Sequence, residues 1–233
     1  MTKIIKSSNS NQHAILLDIM NLHNNGKPFD CDMTYSSGKF YTNDKFPIPQ
    51  PQYKFDVFPQ TDDVVKIEPL GKLPLEDNSI NSIVIDLPFV ISCGPSLKNG
   101  NMKSNIITRR FSGYYPAKSL YESYYHWINE AYRVLKTGGI CVFKCQDTVS
   151  GGIEHNVSAY SIMCAIDCGF NVDDTFILLA KTRLISGKVK KQQHARKFHS
   201  YFHVMKKSDS KKFTKFNYFN LINEFKETSV VKE

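Results

Sequence analysis

One segment constrains this chain more than any other: Ile83-Val84-Ile85-Asp86-Leu87-Pro88-Phe89. Three β-branched apolar residues read as a buried strand. Pro88 lacks the N–H that a central strand needs, so the strand must stop there. At its carboxyl end it presents an acid, a stiff turn and an aromatic ring. In open α/β sheets that edge is where ligands bind. A carboxylate beside a flat apolar surface suits a planar ring that carries an amine. The same residues also make an ordinary strand-to-turn junction with Asp86 as its cap, so the rest of the chain has to decide.

The rest alternates strands and helices. Ile15, Leu16, Ile19, Met20 and Leu22 fall at helical spacing over residues 13–23, and Asn24-Asn25-Gly26 ends that helix. Short strands are predicted over 29–33, 54–58 and 64–68. Pro47, Pro49 and Pro51 exclude a helix between the first two. Leu120, Tyr124, Trp127, Ala131 and Leu135 mark one face of a long helix that Gly138-Gly139 should stop. A strand over 140–144, a helix over 159–168 and strands over 176–180 and 201–205 complete the pattern. It implies an α/β fold, a mostly parallel sheet covered on both faces. No helical pattern separates the last two strands, which therefore pair antiparallel. Residues 1–11 read as a flexible N-terminus, 12–205 as one domain and 206–233 as a basic extension, with 213–225 as a docking helix.

At 233 residues the chain buries a core without covalent staples. None of its six cysteines forms a Cys-x-x-Cys pair. The two Cys-x-x-x-Cys spacings fall on a predicted strand and a predicted helix. Reduced thiols are expected, with no metal site. No signal peptide or apolar span is visible, so a soluble cytoplasmic protein without a membrane partner is expected. Thirty Lys and Arg against 22 Asp and Glu give a net charge of +8, which favours a polyanionic partner. Much of the excess lies in residues 181–199, which hold Lys181, Arg183, Lys188, Lys190, Lys191, Arg196 and Lys197 and no acid.

Several segments, in order, resemble a known family. Asp86-Leu87-Pro88-Phe89 resembles the catalytic motif of amino-methylating nucleic-acid methyltransferases: Asp, Asn or Ser, two prolines, then an aromatic. Leu87 stands for the first proline. Asp32-Met33-Thr34-Tyr35-Ser36-Ser37-Gly38 resembles their Asp-Pro-Phe-x-Gly-x-Gly cofactor motif, with Ser36 for the first glycine. Leu73-Pro74-Leu75-Glu76-Asp77-Asn78-Ser79 resembles the segment that feeds the motif strand. Glu130-Ala131-Tyr132-Arg133-Val134-Leu135-Lys136-Thr137-Gly138-Gly139 is similar to the family's Glu-x-x-Arg-Val-Leu-Lys-Pro-Gly-Gly. Lys144-Cys145-Gln146-Asp147 and the segment from Gln193 to Tyr201 resemble small bacterial and phage DNA methylases. Together these cover roughly residues 30–205.

The resemblance implies a Rossmann-like class I methyltransferase fold of seven strands, the last antiparallel, with S-adenosylmethionine (AdoMet) as cofactor. It makes Asp86 and the Leu87 carbonyl acceptors for a base amine, held by the Pro88 turn, with Phe89 stacking on the base. Cofactor residues would be Asp32, Thr34, Ser36 and Gly38. Asp56 would hold the ribose hydroxyls, and Glu68 would approach the adenine end. Read structurally, Asp32 is instead a turn-capping residue. A positive φ at Ser36 would be costly for a non-glycine residue. Nucleic-acid contacts would come from Arg109, Arg110, Lys144, Lys188, Lys190, Lys191, His194, Arg196 and Lys197. Lys144 and Asp147, after the strand that neighbours the catalytic one, would line the pocket, and equally suit a structural ion pair. The expected substrate is DNA in preference to RNA, at adenine N6 rather than cytosine N4. The alternatives are the same chemistry on RNA, or a nucleic-acid-binding protein that keeps the fold without catalysis.

Overall fold

The computed structural model describes residues 4–43, 45–91, 114, 116–181, 192–208, 220, 222–224 and 226. Helix α1, Gln12–His23, starts because the Asn11 side chain accepts the His13 and Ala14 N–H groups at 2.8 and 3.3 Å. It ends at His23, and beyond the cap residue Asn24 the left-handed Gly26, φ 69°, also donates its N–H to the Met20 carbonyl. Strands β2 (Cys31–Asp32), β3 (Tyr53–Asp56), β4 (Val65–Lys66) and β5 (Ile80–Ile85) follow. The short strand β1, Ser8–Asn9, precedes α1. Helix α2 spans Ala117–Val134, β6 Leu135–Cys145, α3 Val157–Asp167, β9 Phe170–Leu179 and β10 His199–Lys207. Between β6 and α3 lies a hairpin, β7 (Thr148–Ser150) with β8 (Ile153–His155).

The eight main strands form one sheet in the order β1-β9-β10-β6-β5-β2-β3-β4. Only β10 runs antiparallel to its neighbours. The fold is α/β and Rossmann-like, with the antiparallel last strand the sequence implied. The run β4-β3-β2-β5-β6 reverses direction of growth between β2 and β5. That is the switch point at which such sheets bind ligands. Asp32 ends β2 and Asp86 follows β5, so both acids stand there.

One face buries α2 and α3 against Ile83, Ile85, Cys141, Phe143 and Met205. The other buries α1 against Val84, Val142, Phe176 and Val204. Helices do not cover both faces throughout, as the alternation suggested. Among the described residues the chain from β2 to β5 forms strands and turns but no helix, and Tyr35, Tyr41, Ile48 and Val64 cover that part of the sheet. The flexible N-terminus is corrected too, since Ser8 and Asn9 pair with Ile177 and Leu178 as an eighth strand. The expected docking helix lies largely outside the described residues.

Gly138-Gly139 does not stop the long helix. Helix α2 ends at Val134 and β6 begins at Leu135, where the backbone is already extended (φ −72°, ψ 138°). A Cβ on Gly139 would stand 2.8 Å from the Asn81 carbonyl oxygen, so glycine is needed for close strand pairing. The buried Lys207 takes over the capping, donating to the Tyr132 and Leu135 carbonyls at 2.6 and 2.8 Å.

The Glu-x-x-Arg motif fastens the approach to β5. Glu130 accepts the Leu73 N–H at 2.7 Å and pairs with Arg133 at 2.6 Å. Arg133 also donates to the Leu73 and Leu75 carbonyls and to Asp77. Breaking a shielded pair leaves its partner uncompensated. Arg133→Ala is therefore expected to cost about 3 kcal/mol and to lower Tm by roughly 6–12 °C in scanning calorimetry. A shift under 2 °C would mean that the cluster is only surface decoration.

Candidate active site

The switch point is tied together by one polar chain. Asp32 is 2% exposed. Its Oδ1 accepts the Thr34 N–H and hydroxyl at 2.8 and 3.1 Å, and its Oδ2 accepts the Tyr41 hydroxyl at 2.8 Å. Thr34 Oγ1 in turn accepts the Asp86 N–H at 2.7 Å. The loop after β2 and the turn after β5 are thus locked to each other through Thr34. Burial pushes the Asp32 carboxyl up to about 7, against the hydrogen bonds from Thr34 and Tyr41. Buried and bonded to Thr34 and Tyr41, Asp32 shapes the loop that follows β2, as a capping residue does.

Asp86 is partly exposed and its Oδ2 pairs with Lys144 Nζ at 2.9 Å. The ammonium lies 4.9 Å from the Phe40 ring centroid and 5.7 Å from that of Phe202. Phe202 faces Lys144 across the β10–β6 ladder, and Phe40 comes from the loop after β2. Two rings and a carboxylate hold one cation. Leu87 is buried in the core beside α2, which accounts for an apolar residue there. The Pro88 carbonyl accepts the Tyr124 hydroxyl at 3.1 Å. Phe89 is half-buried at the rim.

The turn after β2 has the glycine-like shape despite Ser36. Ser36 takes φ 52° and Gly38 φ 69°. The strain at Ser36 is of order 1–2 kcal/mol and is offset by its N–H, which donates to Asp56 Oδ2 at 2.8 Å. At Gly38 a Cβ would stand 2.5 Å from the Tyr35 hydroxyl oxygen, so only glycine fits. Asp56 Oδ1 accepts the Phe58 N–H at 2.7 Å. Phe58 itself is 65% exposed, beside Asp56 at the carboxyl edge. Glu68 is exposed just beyond the edge strand β4.

Of the residues expected to meet nucleic acid, Lys144 belongs to the Asp86 pair. Lys197 Nζ pairs with Glu154 at 2.7 Å, His194 Nε2 meets the Gly152 carbonyl at 3.0 Å, and Arg196 is exposed. Gln146 donates to the Lys197 and His199 carbonyls, which anchors this segment beside β6. Arg109, Arg110, Lys188, Lys190 and Lys191 lie outside the described residues, as do Lys103 and Arg183. Asp147 accepts the Ser158 N–H at 2.9 Å and so caps α3, with Lys144 paired elsewhere.

Tyr41, Phe40, Phe202 and Phe58 were not singled out by sequence reasoning, and neither was the β7–β8 hairpin. The hairpin had a signal, Gly151-Gly152 between Thr148-Val149-Ser150 and Ile153-Glu154-His155. Phe58 had a weaker one, an aromatic two residues after a strand-ending acid. The rings around Lys144 had none, because three separate segments supply the cage. Among the described residues no group of His, Cys, Asp and Glu is arranged to hold a metal, and no helix is long and apolar enough to cross a membrane.

No family model and no curated relative matches the sequence. Among solved structures, the chain is similar to a candidate DNA modification methylase of Thermus thermophilus complexed with S-adenosyl-L-methionine. Identity is 14% and the TM-score 0.39, over 58% of this chain and 51% of that one. It is also similar to a chain in the complex of the Haloferax volcanii Trm112 methyltransferase activator with a candidate methyltransferase. There identity is 14% and the TM-score 0.46, over 78% and 84% of the two chains. A third is an S-adenosylmethionine-dependent methyltransferase of Methanosarcina mazei, with 12% identity and a TM-score of 0.35 over 76% and 80%. The chain spans about half the length of the Thermus protein. At such distances the strand order, not these likenesses, carries the fold assignment.

Proposed function

We propose that this protein is an AdoMet-dependent methyltransferase acting on an exocyclic amine of a nucleic-acid base, with adenine N6 in DNA as its substrate. The observation that carries the reading is Asp86, a carboxylate at the switch point with one oxygen held by Lys144 and its backbone held by Thr34. A base amine is a poor nucleophile because its lone pair is delocalised into the ring. Asp86 Oδ1 and the Leu87 carbonyl accept its two N–H groups. That favours the pyramidal, nucleophilic nitrogen of the transition state. A carbonyl does not depend on its side chain, so Leu87 serves as a proline would. Lys144 fixes the carboxylate's orientation, and Phe89 offers its face to the extruded base.

The residues around the β2 turn fit AdoMet. Ser36 and Gly38 give the turn its left-handed shape. Each Asp56 oxygen accepts one backbone N–H and keeps a lone pair for a ribose hydroxyl. Phe58 presents an exposed ring to the adenine, and Glu68 lies farther out on the same edge. When bound, the cofactor supplies an electrophilic methyl group. The positive charge of the chain and its basic segment 181–199 suit a DNA partner.

Titration calorimetry tests the cofactor part directly. AdoMet should bind the wild type, and Asp56→Ala should weaken it by about 10- to 100-fold, the worth of hydrogen bonds to a charged group. No heat at millimolar AdoMet would favour the noncatalytic alternative.

A further inference from the structure

The β7–β8 hairpin has no part in the chemistry above, yet it stands on the rim of that site. It begins at Thr148, just past the end of β6 at Cys145. Its strands have three residues each, too few to be stable alone. Four contacts brace it. The Ser150 hydroxyl donates to the Ile91 carbonyl at 3.2 Å, shortly beyond the Asp86 turn. His155 Nδ1 meets the Tyr121 hydroxyl at 2.8 Å. Glu154 pairs with Lys197, and His194 reaches the Gly152 carbonyl.

At the tip, Gly151 and Gly152 take φ 60° and 75°, as a tight two-residue hairpin turn requires. Nothing lies within 4 Å of where their Cβ atoms would be. The next residue, Ile153, is 63% exposed. A stiff β-branched side chain held in water by a braced hairpin makes no contribution to the core. The basic residues Arg196, which is exposed, and Lys197, which pairs with Glu154, lie in the segment that braces it.

We propose that Ile153 is a wedge that enters the base stack of duplex DNA when the target base is extruded, with the neighbouring cations on the flanking phosphates. This rests on the base-amine reading. A base within a duplex reaches Asp86 only after it leaves the stack, and an inserted apolar side chain fills the gap it leaves. The shape of the tip suits that gap, since glycines admit close approach of the backbone and only Ile153 projects.

The test uses the full chain and unmethylated amplified genomic DNA, native or heat-denatured, with labelled AdoMet. Ile153→Ala and Ile153→Asn should lower transfer to the duplex at least 10-fold, and Ile153→Met should keep it within about threefold. Tm and AdoMet affinity should not change, because the side chain is exposed. Transfer to denatured DNA should stay within about twofold of the wild type. Duplex transfer within twofold for Ile153→Ala overturns the wedge and leaves the methyltransferase reading intact. So does an equal loss in the Ala, Asn and Met variants, or a wild type active on single strands or RNA but not on duplex. A wild type that methylates no nucleic acid overturns both.

Discussion

Asp86→Ala should lower methyl transfer by about 1,000-fold, the loss associated with removing one preorganised transition-state partner. The Asp86 N–H bonded to Thr34 belongs to the backbone and survives the substitution, so the turn keeps its place. Lys144 loses its carboxylate but keeps the faces of Phe40 and Phe202. Its long stem lets the ammonium reach water. The folded population should therefore hold, and AdoMet and DNA affinities should stay within a few-fold. Asp86→Asn keeps an acceptor oxygen but loses the charge, and should fall about 100-fold. More than a tenth of wild-type activity in a folded Asp86→Ala protein would remove Asp86 from the chemistry.

The second large effect is on stability against pH. His203 is fully buried, with Nδ1 3.0 Å from the Thr175 hydroxyl and Nε2 3.1 Å from the Ser158 hydroxyl. Burial lowers its pKa from 6.5 to about 4, against the pull of Asp147. A lowered folded pKa gives stability that is full above 6.5 and lost as pH falls towards 4, about 3 kcal/mol in all. Asp32 acts with the opposite sign. Its carboxyl is raised from 3.8 to about 7, so its contribution is full below 3.8 and lost as pH rises through 7, about 4 kcal/mol. Between pH 4 and 6.5 the two oppose each other and the wild-type profile is flattened. His203→Gln should become more stable on acidification across that window. Asp32→Asn should become markedly less stable, because only the histidine dependence remains. Urea unfolding at pH 4.5, 5.5 and 6.5 resolves this, and parallel profiles for the three proteins would refute the assignment.

Periodicity in the sequence located the elements that pack by a regular apolar face. Helices α1 and α2 and strand β5 lie where Ile15 to Met20, Leu120 to Ala131 and Ile83 to Ile85 put them. Prediction failed where a tertiary partner decides. Gly138-Gly139 looks like a helix stop, but the nearby Asn81 carbonyl makes it a strand-pairing device. Ser8 and Asn9 have no strand signature of their own and are ordered by the free edge of β9. At the candidate site, Asp86, Leu87, Ser36 and Gly38 stand in the sequence as motif residues at fixed spacings, and Asp56 as an acid on a predicted strand. The Lys144 cage was not, because Phe40, Lys144 and Phe202 come from three segments far apart in sequence. Nor was the burial of Asp32, which depends on Tyr41 closing over it.

The most direct measurement is transfer of a labelled methyl group from AdoMet to duplex DNA, single-stranded DNA and RNA, followed by digestion to nucleosides. The account predicts label in DNA, recovered as N6-methyladenine and absent from Asp86→Ala reactions. Label confined to RNA, label on a carbon or ring-nitrogen position, or no label in any nucleic acid despite AdoMet binding would contradict it.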